Sequence, residues 1–349
     1  MNPFAEHKIL GHLPILGQYL DGQVYAPIQV EIDLCNACTS ACPWCAGYKE
    51  REDNPFILFG QGSTKNEQWY NSHMRTMKLV KQLADYGVQA LTWTGGGDPS
   101  VHPYLSELIE SSADELMDNG LITNGVIPVL ECLPNCEWVR FSVDAGTEAT
   151  YEKQHGRKNH FHRVLDNISN AVAYKRHNRL PVTIGVACVT SQEVLGELEQ
   201  FVQLWHDIPV DYIQFRPLLD THGQAFFNDN NETLEWLQRA KEIDSRVVTS
   251  ETKYGKLGCS GLTKRCHGSS LETAIAADGC VYECCHLKGN PKYSLGSLHI
   301  ETFQAIWERH LARGTFDTTP DCVRFCRHYG TNVLIEELIA IRHPHPNFI

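Results

Sequence analysis

Residues 28–45 read IQVEIDLCNACTSACPWC, a short β-rich run that empties into a loop carrying Cys35, Cys38, Cys42 and Cys45. The last three are spaced Cys38-x3-Cys42-x2-Cys45, so the end of a strand presents three thiolates within a few residues. Three is the informative number. Four thiolates saturate a metal, whereas a [4Fe–4S] cluster held by three leaves one iron open to a further ligand, and chemistry can occur there. Structural zinc would recruit Cys35 as a fourth ligand, but zinc sites usually gather their ligands as two separated hooks.

On either side of the helical patterns at 74–86 and 161–175, β-rich runs fall at 28–34, 90–94, 121–123, 138–143, 182–189 and 212–215. This alternation is the mark of βα units around a parallel sheet. Six units are too few for a closed eight-stranded barrel. They predict an α/β fold built on a partial (β/α)6 TIM-type barrel, its mouth at the carboxyl ends of the strands. The polar stretch 221–231, with Gly223 and several Asn and Asp residues, predicts a junction. It divides the chain into an amino-terminal extension (1–27), the barrel (28–220) and a small carboxyl-terminal auxiliary domain (221–349).

Of the 349 residues, 42% are hydrophobic and 21% charged, proportions of a soluble globular protein. No stretch reads as a membrane span, and residues 1–20 lack a basic, apolar and small-residue secretory signal, so a cytoplasmic location is expected. The formal charge of −12 argues against a broad nucleic-acid surface. Fourteen cysteines in such a chain point to metal or redox chemistry rather than disulfides. Seven of them lie between Cys259 and Cys326, which suggests a second site. There Cys266-x17-Cys284 and Cys322-x3-Cys326 offer four thiolates in two hooks, a set that a zinc ribbon could also use. Cys35, Cys132, Cys136 and Cys188 are expected to be small buried residues.

Trp44 completes the pattern C-x3-C-x-aromatic-C, and with it the sequence resembles the radical S-adenosylmethionine superfamily. The resemblance implies that Cys38, Cys42 and Cys45 hold a catalytic [4Fe–4S] cluster whose open iron is chelated by S-adenosylmethionine. Reductive cleavage of that cofactor would yield a 5′-deoxyadenosyl radical. Trp44 would pack near the adenine or simply cover the loop. The run 90–94 ends in Gly95-Gly96-Gly97-Asp98-Pro99, similar to the family's Gly-Gly-Glu-Pro, whose backbone meets the cofactor's amino group. Glycine permits such close approach, and Asp98 is one methylene shorter than the usual Glu. Ser142 is implied to touch the cofactor's carboxylate or ribose and Thr123 to face the substrate, with turn capping as the plainer alternative. Arg216, after the sixth run, could pair with a carboxylate at the barrel mouth.

The second cysteine group resembles the Twitch or SPASM extension of this superfamily, in which a cysteine, a Gly-x4-Cys hairpin and later cysteines hold auxiliary clusters. Gly279 and Cys284 fit the hairpin, and 295–298 followed by 303–307 fit its connecting strand and helix. The short later run favours the Twitch form, with a single [4Fe–4S] cluster on Cys266, Cys284, Cys322 and Cys326. Cys280 or Cys285 could replace Cys284. A fully ligated cluster suits electron transfer.

The implied cofactors are therefore S-adenosylmethionine and two [4Fe–4S] clusters, served by an external electron donor such as flavodoxin or ferredoxin. The leading reading is hydrogen abstraction from a polar small molecule of sugar, cyclitol or nucleotide type, followed by net oxidation. The alternative is a maturase that crosslinks or epimerises a ribosomal precursor peptide. An epimerase would need a hydrogen-atom donor, for which Cys280, Cys285 or Cys259 could serve. A non-catalytic electron carrier would have no use for the glycines at 95–97.

Overall fold

A computed structural model describes residues 8–45, 64–218, 230–249, 254, 263–319, 321–322 and 326–340. Most of the expected junction, residues 221–229, lies outside them, as do Cys259 and residues 343–349.

Six strands, Gln29–Asp33 (β1), Ala90–Thr94 (β2), Asp118–Thr123 (β3), Trp138–Ser142 (β4), Thr183–Thr190 (β5) and Tyr212–Pro217 (β6), pair side by side in chain order. All these pairings are parallel, as the βα pattern requires. The sheet then goes further than six units. Val247–Thr249 (β7) adds in parallel to β6. Beyond Arg265–Cys266 (β8), Glu272–Ile275 (β9) adds in parallel to the other side of β1. Cys280–Tyr282 (β10) and Ser294–Ser297 (β11) continue it antiparallel, giving ten strands in the order β11-β10-β9-β1-β2-β3-β4-β5-β6-β7. Phe316–Asp317 (β12) pairs with β8 in a separate ribbon. β7 and β9 escape a sequence reading because three or four residues show no period by themselves.

Helices cover one face of this sheet. The helix Lys65–Tyr86 begins with a reciprocal capping box between Thr64 and Glu67 and stops at Gly87, whose φ of 107° reverses the chain at no steric cost. Phe161–Asn178 buries Phe161, Val164, Ile168, Ala171 and Val172, one stripe at helical spacing. Against these stripes pack alternate strand residues, among them Val30, Ile32, Leu91, Trp93, Val139, Phe141, Ile184, Val186, Ile213 and Phe215. Each fully buried side chain of this size contributes about 1.5–3 kcal/mol.

Because side chains alternate along a strand, the residues between these apolar positions face the inside of the curved sheet. They include Glu31, Asp33, Arg140, Ser142, Gln214 and Arg216, so the lumen is polar and charged. Glycine is required at two places on this face. A Cβ on Gly120 would lie 2.2 Å from the Trp138 ring, and one on Gly185 2.0 Å from the Tyr212 ring. Each ring therefore rests across its neighbouring strand.

The amino-terminal helix Leu13–Leu20 is not a loose appendage. Ile9, Leu16 and Tyr25 form a second small core with Leu271 and Ile335, and Trp307 Nε1 donates to the Tyr25 carbonyl at 2.8 Å.

Candidate active site and auxiliary cleft

The loop after β1 is clamped from both sides. On one side, Gly97 N donates to Cys35 O at 3.0 Å and Asp98 N to Ala37 O at 2.8 Å. A Cβ on Gly97 would stand 2.0 Å from Ala37 O, whereas one on Gly96 would meet only Asp33 Oδ2 at 3.7 Å. The Gly97 position is thus demanded by the cysteine loop itself, while the side of Gly96 is open enough to admit a ligand. Asp98 is buried and accepts from Ser100 N at 2.9 Å, Thr123 Oγ1 at 3.0 Å and Asn124 N at 2.6 Å. Its shorter side chain ties the loop after β2 to the loop after β3. Thr123 is buried with its hydroxyl committed to Asp98, so it supports the loops rather than facing a substrate in the lumen.

On the other side, Ala41 N donates to His155 O at 2.7 Å, and Trp44 Nε1 donates to Gln154 Oε1 at 2.8 Å. Gln154 is held in turn by Ser191 Oγ at 2.8 Å. His155 Nε2 donates to Val143 O at 3.0 Å, with Asp144 Oδ2 at 3.4 Å, and this directs Nδ1 to within 3.6 Å of Cys42 Sγ. Asn124 Nδ2 and Ser40 N point at Cys38 Sγ from 3.5 and 3.4 Å. Hydrogen bonds of this kind tune the potential of cluster thiolates. Cys35 differs: its thiol is buried, aimed at the Ala37 and Asp98 carbonyls, and pushed up to about 12 by burial. It remains a thiol. Cys132, Cys136 and Cys188 are likewise buried, as expected. Asn124 lies in a turn already singled out in the sequence, but Gln154 and His155 carry no local signal there, being more than a hundred residues from their partners.

Beneath this loop the lumen has two unlike walls. On β1 and β9, Asp33 pairs with Lys288 at 2.7 Å, Glu31 with Arg327 at 2.5 Å, and Glu272 also with Arg327. Burial alone would raise the Glu31 carboxyl, but Arg327 and then Lys288 outweigh it and hold the group at about 2. Lys288 and Arg327 come from the segment after β10 and lock it onto the barrel. On β4 and β6, Arg140 Nη1 donates to Gln214 Oε1 at 3.2 Å; Ser142 ends β4 and Arg216 lies one residue before the end of β6.

The four cysteines expected at the second site share one cleft. Cys266, Cys284, Cys322 and Cys326 line it together with Ser269, His286, Phe316, Tyr329 and others, around a free space of about 470 Å³ that includes its opening to solvent. Cys280 and Cys285 are not among the lining residues. Backbone N–H groups of His286, Thr319 and His328 approach the sulfurs of Cys284, Cys322 and Cys326 at 3.4–3.5 Å. Burial, with neighbouring sulfurs, pushes the Cys326 thiol up to about 12. Such clustered thiols give up their protons when a cation takes their place. Four soft donors with amide support, arranged around a cavity, fit an iron–sulfur cluster; the three-thiol loop with an open flank at Gly96 fits one with a vacant iron.

Residues 32–204 match the radical SAM superfamily, and residues 266–328 match SPASM, an iron–sulfur cluster-binding domain. The chain belongs to the radical S-adenosylmethionine superfamily, in its SPASM-type branch, and its cofactors are S-adenosylmethionine and two [4Fe–4S] clusters. The cysteine count had favoured the shorter Twitch form. The chain is 26% identical over 224 residues to an S-adenosylmethionine-dependent nucleotide dehydratase of Flammeovirga pacifica, covering 62% of this chain and 70% of that protein. It is 24% identical over 334 residues to a PqqA peptide cyclase of Ruegeria pomeroyi, covering 89% and 82% respectively. Its fold matches that of Streptococcus suis SuiB bound to precursor peptide SuiA, with a TM-score of 0.60 and 12% identity over 86% of this chain and 68% of that one. Among the described residues no helix is long and apolar enough to cross a membrane.

Proposed function

We propose that this chain is a maturase that modifies a precursor peptide by radical chemistry. The observation that carries this reading is extent: likeness to a peptide cyclase spans 89% of the chain, whereas likeness to the nucleotide dehydratase spans 62%. Oxidation of a sugar, cyclitol or nucleotide, ranked first on sequence, takes second place.

In this reading residues 28–220 form the radical core and 221–349 the auxiliary domain. Cys38, Cys42 and Cys45 hold the catalytic cluster; Trp44, Gly96, Gly97, Asp98 and Ser142 border or brace the S-adenosylmethionine site; Cys266, Cys284, Cys322 and Cys326 hold the auxiliary cluster. An external donor such as flavodoxin or ferredoxin delivers the electron. When bound, these groups supply a 5′-deoxyadenosyl radical that takes a hydrogen atom, and an acceptor for the electron that follows. The protein's own part is positional. Gln154 fixes Trp44, Asn124 and Ser40 support Cys38, and His155 supports Cys42. The Asp33–Lys288 and Glu31–Arg327 pairs hold the auxiliary segment against the barrel.

A crosslink removes two hydrogens from the peptide. One would leave as an atom to the 5′-deoxyadenosyl radical, giving 5′-deoxyadenosine; the other would leave as a proton, and the group that Cys266, Cys284, Cys322 and Cys326 would hold could accept the remaining electron. The test is coexpression with each short open reading frame beside the gene, followed by mass spectrometry. Loss of two hydrogens supports crosslinking, and deuterium gained from heavy water at unchanged composition supports epimerisation. Turnover of a ribonucleoside triphosphate, with no peptide altered, would refute the proposal.

A further inference from the structure

We infer that the β4/β6 wall of the lumen is the receptor for a carboxylate on the substrate peptide, with Arg140 and Arg216 as its cations; this rests on the peptide reading above. Arg216 was expected at the mouth. Arg140 has no sequence motif, and its position is what gives the wall its chemistry.

The two walls are unequal in charge balance. On the β1/β9 wall Asp33, Glu31 and Glu272 already have Lys288 and Arg327 as counter-ions. On the β4/β6 wall no carboxylate among the described residues forms an ion pair with Arg140 or Arg216. Arg140 is bonded to a neutral amide, Gln214, and its Nε is buried with no hydrogen-bond partner. Burial first, and then the charge of Arg216, depress the Arg140 guanidinium to about 10, while Tyr212 and Glu31 act the other way. A guanidinium with a buried donor left over is costly unless an anion joins it.

Strand β5 runs between β4 and β6. Arg140 lies in register with Gly185 on β5, and Gly185 with Tyr212 on β6; Ser142 lies in register with Ala187, and Ala187 with Gln214. Of the β5 positions that face the lumen, Gly185 and Ala187 are small, and Val189 stands in register with Arg216. The Tyr212 ring fills the place a side chain would take at Gly185. A guanidinium fork matches a carboxylate in two parallel hydrogen bonds. Phosphate also suits arginine, but the peptide reading above supplies carboxylates and no phosphate.

The probe is a mixed library of acetylated, amidated hexapeptides with either Glu or Gln at one fixed position. It is incubated with the anaerobic two-cluster protein and S-adenosylmethionine, and the retained peptides are read by mass spectrometry. Wild type should retain Glu over Gln peptides by roughly tenfold or more, the range of a charge-assisted contact. In Arg140→Met and in Arg216→Met that ratio should fall to about one, with iron content and circular dichroism retained. Arg216→Met, near a strand end, carries the test if Arg140→Met does not fold. Equal retention of Glu and Gln peptides by wild type, or a preference that survives both substitutions, overturns the carboxylate receptor and leaves the peptide reading standing. Retention of no peptide, whether or not a ribonucleoside triphosphate binds in its place, overturns the peptide reading itself.

Discussion

Gly97→Ala should cost the protein its catalytic cluster and leave the auxiliary one in place. The added Cβ would sit 2.0 Å from Ala37 O and 2.6 Å from the Asn36 carbonyl carbon, both backbone atoms that no rotamer change can move. Relief needs the two loops to part by about 1 Å, since interiors have little free volume. The bonds Gly97 N to Cys35 O at 3.0 Å and Asp98 N to Ala37 O at 2.8 Å then exceed hydrogen-bonding range. Two lost hydrogen bonds, with their groups left partly desolvated, come to about 2–5 kcal/mol, and the cost falls on the loop that carries Cys38, Cys42 and Cys45. Gly96→Ala is the control, because its Cβ meets only Asp33 Oδ2 at 3.7 Å. Both variants would be reconstituted anaerobically and assayed for iron, for the electron paramagnetic resonance signals of the two clusters, and for cleavage of S-adenosylmethionine. Gly97→Ala should lose about half its iron and its cleavage activity, while Gly96→Ala keeps both cluster signals. If Gly97→Ala holds both clusters as tightly as wild type, the steric account of the two-loop clamp is wrong.

Replacing Cys38, Cys42 and Cys45 together with Ala should remove about half of roughly eight irons and all cleavage of S-adenosylmethionine; cleavage that persists would rule out this loop. Cys284→Ala should lose the auxiliary cluster, whereas Cys280→Ala and Cys285→Ala should keep both, and zinc found in place of that cluster would refute the iron assignment. Lys288→Met strands the buried Asp33 carboxylate and should lower stability by about 3–5 kcal/mol in denaturant titrations; adding Asp33→Asn should recover most of it, and no recovery would mean that the pair is not the cause. His102 is buried, and burial depresses its imidazole to about 3. The unfolded chain takes up a proton at its ordinary pKa near 6.5 that the folded chain refuses, so stability is present above pH 6.5 and falls as the pH drops toward 3. Between pH 7.5 and 5.5 the share of His102 in the loss should be about 1.4 kcal/mol, and His102→Gln should remove that share and leave what other buried imidazoles such as His328 contribute; an unchanged slope would contradict the burial.

The class of the protein was legible in a few short segments because its chemistry is local. The loop at 38–45 carries three ligands within eight residues, and the glycines at 95–97 sit at a strand end where only small residues allow backbone contact. The alternation of β-rich runs with helical stretches marked six strands, including the short runs 121–123 and 212–215. The hooks Cys266, Cys284, Cys322 and Cys326 were legible by spacing, and the structure gathers all four in one cleft. What the sequence could not reveal depends on residues far apart in the chain. β7 and β9 are too short to announce themselves and exist because β6 and β1 offer them hydrogen bonds. Gln154 and His155 meet the cysteine loop over a hundred residues away. Lys288 and Arg327 find Asp33 and Glu31 across more than 250 residues, and Asp98 and Thr123 turn toward each other instead of toward a ligand. Only the closure of the sheet, which brings distant strands to one lumen, decides which charges are paired and leaves Arg140 and Arg216 with no carboxylate ion pair among the described residues.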